Sequence, residues 1–454
     1  MMNGIVSDTI YALASGTGRS GVAVIRISGT RAGFALQSLS GNDLPQPRVA
    51  RLLRLRHPVS VDVLDDALVL WFSAPASFTG EDVAELHVHG GTAVVEGVLA
   101  ALSDLDGLRL AEAGEFTRRA FENAKLDLTQ VEGLADLIEA ETEAQKKQAL
   151  RQSEGELGRL YDGWRASLVR ALAHFEAELD FSDEELPEDI HDHLMAGVRD
   201  LYTAIQAHLV DGRRGERLRE GVRLAIIGPP NAGKSSLMNA LARRDAAIVS
   251  DIAGTTRDVV EVHLNLGGYP LLVADTAGLR ESGDAIEQEG VRRARLWAEG
   301  ADLKLAIFDG AALPDLDAST RSLLEADTLV VINKSDVTPR DVPRRIDGHA
   351  VMTLSVATGQ GLDALVLRLS DMVAECCRVG NDGPAPTRSR HREALKRTVA
   401  SLERFLGRDN DEHLGVELEA EDLRMAAREL GRITGRVDVE DLLDVIFRDF
   451  CIGK

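Results

Sequence analysis

Arg223-Leu224-Ala225-Ile226-Ile227-Gly228-Pro229-Pro230-Asn231-Ala232-Gly233-Lys234-Ser235-Ser236-Leu237-Met238-Asn239-Ala240-Leu241 passes from an apolar run, through a glycine- and proline-rich turn, into a helical pattern. Strand, loop and helix in that order form a phosphate loop. The glycines let main-chain N–H groups turn inward around phosphate oxygens, and the helix N-terminus adds partial positive charge. Lys234 is placed to neutralise β- and γ-phosphates, and the Ser235 hydroxyl to ligate Mg²⁺.

Two further motifs lie downstream. Asp275-Thr276-Ala277-Gly278 follows the apolar run 271–274, so Asp275 ends a strand where it can hold the metal through water, and the Gly278 N–H has room to meet a γ-phosphate. Asn333-Lys334-Ser335-Asp336 follows the buried-strand run 328–332. A carboxylate there accepts both N1–H and the exocyclic amine of guanine; adenine offers neither donor in that arrangement. Motifs at successive strand ends form one crevice, which selects GTP over ATP. Ser355-Val356-Ala357 resembles the element that packs over the base in such GTPases, with Ala357 where many carry Lys or Arg.

Outward from this centre, residues 221–375 alternate apolar strand runs with helical segments, as a parallel α/β sheet requires. Residues 127–214 carry apolar positions at three and four spacing, broken near Ser182–Pro187, and the pattern returns after Pro386. The first 120 or so residues mix strand runs (22–27, 67–72, 83–88) with a helical pattern over 97–102. The expected fold is a P-loop parallel α/β sheet inserted in a helical domain, plus an N-terminal α+β domain. Expected boundaries are 1–125, 126–215 (first helical part), 216–380 (GTPase domain) and 381–454 (second helical part).

Composition bounds the rest. The 454 residues are 44% hydrophobic and 28% charged, with no run long and apolar enough to span a bilayer and no signal-peptide pattern, so a cytoplasmic protein is expected. Cys376, Cys377 and Cys451 are too few and too poorly spaced for a disulfide framework or a zinc site. A net charge of −22 disfavours indiscriminate nucleic-acid binding but leaves room for a local basic cleft.

Asp251-Ile252-Ala253-Gly254-Thr255-Thr256-Arg257-Asp258 stands between the first two motifs. Together with them, with Gly80–Leu86, His89-Gly90-Gly91, Gly114–Phe121 and the tail Phe450–Lys454, it resembles the MnmE (TrmE) family of bacterial tRNA-modification GTPases over essentially the whole chain. The resemblance implies more than spacing can. Leu279 stands where Ras-like switches carry a water-orienting Gln, and the family's substitute Glu matches Glu287. A K⁺ ion would be held by Asn231, Ser250, Ile252 and Thr255, while Thr256 matches the switch threonine on Mg²⁺. A one-carbon tetrahydrofolate such as 5-formyltetrahydrofolate would bind at Arg26, Glu85, Lys125 and Lys454.

The implied reaction is addition of an aminomethyl or carboxymethylaminomethyl group to carbon 5 of the tRNA wobble uridine. It would be shared with the FAD-dependent MnmG (GidA) in a heterotetramer. The chain itself would be a homodimer through its N-terminal domain, its GTPase domains pairing on GTP binding. No dinucleotide fingerprint of the GxGxxG type leads a strand–helix unit here, so the redox step needs that partner. Two rivals are a ribosome-assembly GTPase of the Era or Der type and a scaffold that binds nucleotide without hydrolysis. The first usually carries an RNA-binding module or a duplicated GTPase domain, neither of which is evident. Intact Lys234, Ser235, Thr256, Asp275 and Glu287 argue against the second.

Overall fold

The computed structural model describes residues 8–180, 188–210, 212–244, 261–275, 300–338, 342–378, 383–408 and 416–437, and residues 443, 446, 447, 450 and 453. The chain divides into two compact units, Met1–Ala135 with Gly431–Lys454, and Asp136–Leu430.

The first unit is built on β1 (Thr9–Leu13), β2 (Ser20–Ser28), β3 (Arg51–Arg56), β4 (Val63–Phe72), β5 (Val83–Gly90) and β6 (Leu108–Leu110). They form one sheet in the order β3-β4-β5-β2-β1-β6, antiparallel throughout except for the parallel β1–β6 pair. Strand side chains alternate between faces, so Ile25, Ile27, Leu86 and Val88 point one way and are buried against the helices Ala32–Ser40 and Thr92–Ser103. Arg26, Glu85 and His87 occupy the alternate positions. The helix expected over 97–102 begins five residues earlier, at Thr92. The β-branched Val94 and Val95 weaken the local helical signal, and packing of Val98, Ala101 and Leu102 on the sheet overrides it. Near the C-terminus, Gly453 has φ 97°, and a Cβ there would lie 2.0 Å from the Leu13 carbonyl oxygen, so only glycine fits.

The second unit holds β7 (Val222–Ile227), β8 (Glu261–Leu266), β9 (Tyr269–Asp275), β10 (Leu303–Asp309), β11 (Leu329–Asn333), β12 (Arg345–Ile346) and β13 (His349–Thr353). The order is β12-β13-β11-β10-β7-β9-β8, with β9, β7, β10, β11 and β13 parallel and an antiparallel strand at each edge. Central parallel strands are apolar on both faces because both are covered. Leu224, Ile226, Leu305 and Val331 pack with Leu237 of helix Lys234–Arg244 and Leu365 of helix Leu362–Cys377. Ala225, Ile227, Phe308 and Ile332 form a separate core on the other face.

Helices Glu143–Ser153, Glu156–Asp180 and Glu188–Val210 precede this sheet in sequence, and helix Ser389–Arg408 returns to them after it. Phe405 meets Phe175 edge-on at 5.7 Å, and Tyr202 Oη donates to Glu403 at 2.8 Å. The α/β sheet is therefore inserted between helical segments that pack together. The break expected at Ser182–Pro187 lies outside the described residues. Among the described residues no helix is long and apolar enough to cross a membrane.

The β8–β9 hairpin is fixed to the helical segment at two points. The Ala144 N–H donates to Gly268 O in the hairpin turn at 3.1 Å, and His263 Nδ1 lies 2.9 Å from Glu141 Oε2.

Candidate functional site

The parallel strands end in step. Register aligns Ile226 with Asp275 and Asp309 with Asn333, so β7, β9, β10 and β11 deliver their C-terminal residues to one edge of the sheet. From β7 the chain turns through Gly228–Gly233 and enters helix Lys234–Arg244. Asn231 (φ 62°) and Gly233 (φ 102°) both take left-handed backbone. A Cβ on Gly233 would stand 2.3 Å from Asn333 Nδ2, which makes glycine obligatory. Lys234 Nζ donates to the carbonyls of Gly228 (2.8 Å) and Pro229 (3.0 Å), so the ammonium is folded over the loop it belongs to. Ser235 and Ser236 are exposed in the first helical turn, where amides lack intrahelical acceptors and the helix dipole favours anions.

Asn333, only 3% exposed, joins the loops of this edge. Its Nδ2 donates to Ala232 O at 2.8 Å, and its Oδ1 accepts from the Val356 N–H at 3.1 Å. One side-chain amide thus connects the phosphate loop to the Ser355–Ala357 loop. The latter is held from within: Ser355 is buried, and its Oγ accepts from the Thr358 N–H at 3.2 Å. Ser335 N–H donates to Leu354 O at 3.0 Å. Asp336 and Ala357 are exposed at the rim, leaving the Asp336 carboxylate open to paired N–H donors.

Lys334, at φ 63°, places its Nζ 2.5 Å from Asp309 Oδ2. Burial pushes the Asp309 carboxyl up, but the Lys334 ammonium and the Ala311 N–H outweigh it and hold the carboxyl below the usual range. Sequence reading did not single out Asp309. Its signal was available, an Asp closing the apolar run Leu303–Phe308 as Asp275 closes its own. The bridging role of Asn333 was not foreseen either.

The β9 backbone puts Asp275 at the strand end, while its carboxylate lies outside the described atoms. Ser250, Asp251, Ile252, Ala253, Gly254, Thr255, Thr256, Thr276, Ala277, Gly278 and Glu287 also lie outside the described residues, as does Lys454.

In the first unit, register sets Arg26 on β2 beside Glu85 on β5. Arg26 Nε and Nη2 both approach Glu85 Oε1 at 3.0 Å. The guanidinium lies 5.3 Å from the Phe78 ring centroid and 5.7 Å from that of Phe116. Lys125 is exposed and donates to Pro75 O at 3.0 Å, in the loop that also carries Phe78.

That loop is pinned by charge. Glu81 accepts from Ser28 Oγ (2.8 Å) and Arg119 (3.1 Å), and Arg119 also donates to Glu115 (3.0 Å). The segments 80–86 and 114–121 are therefore joined by a partly buried ion network, which sequence spacing had not revealed. Burial raises the Glu115 carboxyl, but the Arg109 fork, the Glu112 N–H and Arg119 together hold it below its ordinary range.

Cys376 and Cys377 end helix Leu362–Cys377, and burial pushes the Cys377 thiol up to about 12. A thiol so protonated is a packing residue and not a nucleophile.

Comparison with known proteins adds to this geometry. A family profile described as the MnmE helical domain matches residues 128–451, and one described as the N-terminus of the GTP-binding protein TrmE matches residues 9–125. The chain is 57% identical over 449 residues to the tRNA modification GTPase MnmE of Paramagnetospirillum magneticum, covering 99% of this chain and 100% of that protein. It is 50% identical over 463 residues to the human mitochondrial 5-taurinomethyluridine-tRNA synthase subunit GTPB3, covering 98% of this chain and 93% of the relative. A crystal structure of Aquifex aeolicus Era bound to GDP and AlF4⁻ is similar at 25% identity and a TM-score of 0.28, over 39% of this chain and 66% of that one.

Proposed function

Because the chain belongs to the MnmE family of tRNA modification GTPases, we propose that it hydrolyses GTP to time the modification of carbon 5 of the wobble uridine, together with an FAD-dependent MnmG-type partner and a one-carbon tetrahydrofolate. The observation that carries the GTPase half of this reading is the shared strand-end edge, where Asn333 ties the phosphate loop to the base loop. The domain division that accompanies it is 1–125 for folate and dimerisation, 216–380 for GTP, and 126–215 with 381–454 as the helical frame of a cytoplasmic homodimer.

In this reading Asp336 accepts the guanine N1–H and amino group, with Ser355–Ala357 over the ring. Lys234 leaves the Gly228 and Pro229 carbonyls for the β- and γ-phosphates, a like-for-like exchange of oxygen acceptors. The Ser235 hydroxyl, exposed on the first helical turn, fits a Mg²⁺ ligand, with Thr256 and Asp275 completing its surroundings. Asn231 presents an exposed amide from a left-handed position at the loop rim, which fits a K⁺ ligand beside Ser250, Ile252 and Thr255. Bound there, the two cations supply positive charge against the charge that shifts during phosphoryl transfer. Glu287 orients the attacking water. The Arg26–Glu85 pair, with the Phe78 and Phe116 rings near the guanidinium, suits a flat heteroaromatic carrying N–H donors, and Lys125 and Lys454 suit its carboxylates.

Mass spectrometry of tRNA nucleosides from cells lacking the protein tests the whole proposal. Loss of 5-substituted wobble uridines, restored by wild type but not by Glu287→Ala, is expected; unchanged wobble uridines would point instead to ribosome assembly. GTP turnover is expected to be much faster in K⁺ than in Na⁺, and equal rates would remove the proposed ion site.

A further inference from the structure

We propose that His87 is a positioning residue for the Glu85 carboxylate, fixing it to accept two parallel N–H donors from an aminopyrimidine-type ring. The inference rests on the folate reading of the Arg26–Glu85 site and deepens it.

His87 and Glu85 are two apart on β5, so both lie on the sheet face that carries Arg26. Register sets His87 between Val24 of β2 and Leu68 of β4, so its strand neighbours offer only apolar side chains. Its Nε2 is buried and has no hydrogen-bond partner. A buried polar atom without a partner gives up its solvation for nothing in return, and such atoms in folded proteins call for an explanation. The nearby acceptor is Glu85 Oε2, 3.6 Å away and just beyond hydrogen-bond reach. Arg26 turns to the other oxygen, Oε1, to which its Nε donates at 3.0 Å.

The chemistry of the ring explains the asymmetry. A carboxylate that receives a ring N–H and an adjacent amino group uses one lone pair on each oxygen, leaving a second lone pair on each. The plane of the carboxylate is then set by whatever holds those two outer lone pairs. Arg26 holds the one on Oε1. His87 Nε2, in the tautomer that carries the proton there, stands a few tenths of an ångström beyond hydrogen-bond distance of Oε2. A small rotation of Glu85 toward a ligand closes that gap and pairs an atom that is otherwise orphaned. The imidazole touches the carboxylate and not the ligand, so its effect falls on orientation.

Isothermal titration of the full-length protein with 5-formyltetrahydrofolate, and with the same folate lacking its 2-amino group, tests this. Glu85→Ala is expected to abolish measurable binding; if it binds like wild type, the folate reading itself fails, whatever His87 does. With Glu85 essential, His87→Leu is expected to bind about tenfold more weakly, the loss of one hydrogen bond to a charged group. The discrimination against the desamino folate should shrink by a similar factor. His87→Gln, which keeps an N–H donor, should recover both. Wild-type affinity in His87→Leu, undiminished discrimination, or a Gln variant no better than Leu would each overturn the assignment.

Discussion

Asn333 shows how one buried amide sets the terms for its neighbours. Replacing it with Ala leaves Ala232 O and Val356 N–H without their partner, at about 1–3 kcal/mol for each group. Asn333→Ala is therefore expected to lower the urea midpoint of unfolding as well as GTP affinity. Gly233→Ala attacks the same contact from the other side, with a Cβ 2.3 Å from Asn333 Nδ2 at φ 102°. A fluorescent GTP analogue should bind it about 100-fold more weakly, some 3 kcal/mol. Asp336 is different, being exposed and outside that network. Asp336→Asn exchanges an acceptor for a donor and should move preference from GTP to XTP, read by competition.

Glu115 makes a pH prediction. Its folded carboxyl is held below its ordinary value, so its stabilisation is complete above the ordinary carboxylate range and is lost as pH falls through the lower folded value. Glu115→Gln should cost about 2 kcal/mol at pH 7. The gap between its denaturation midpoint and that of wild type should begin to narrow as pH falls below the ordinary carboxylate value of about 4.3 and close only below the lower folded value.

At the scale of elements, local chemistry was legible and distant pairing was not. The runs 22–27, 67–72 and 83–88 lie inside β2, β4 and β5, because alternation and flanking turn residues are properties of neighbours in sequence. The pairing of Lys334 with Asp309 joins residues 25 apart, and that of Asn333 with Ala232 joins residues 101 apart; no periodicity encodes such meetings. The same holds for the seat of the β8–β9 hairpin, where His263 reaches Glu141 across 122 residues. Glu141→Ala should loosen the hairpin, and amide exchange over residues 261–273 is expected to quicken about tenfold if that one bond is worth about 1.4 kcal/mol. Unchanged exchange would assign the seat to the Ala144–Gly268 bond alone.

For the whole molecule, the two units have separate cores, the sheet-and-helix core of the first and the two-faced parallel sheet of the second. A ligand stabilises the state that binds it, by about 2.7 kcal/mol at a concentration 100 times its Kd. GTP should accordingly slow amide exchange in strands 222–227, 303–309 and 329–333 and leave strands 20–28 and 83–90 nearly unchanged. A folate ligand should do the reverse. Chain-wide features such as the −22 charge bounded the class of protein without locating either site. The motifs pointed to the proposed nucleotide site, because phosphate and guanine each demand particular atoms at particular strand ends; the proposed folate site followed from the family resemblance instead.

The amide clasp at Asn333 has a kinetic corollary. Since the loop that would hold the phosphates and the loop that would cover the base bond opposite ends of one side-chain amide, loosening either one unsettles the anchor of the other. Departure of the nucleotide should therefore quicken once the clasp is cut, with a GDP off-rate in Asn333→Ala well above that of wild type.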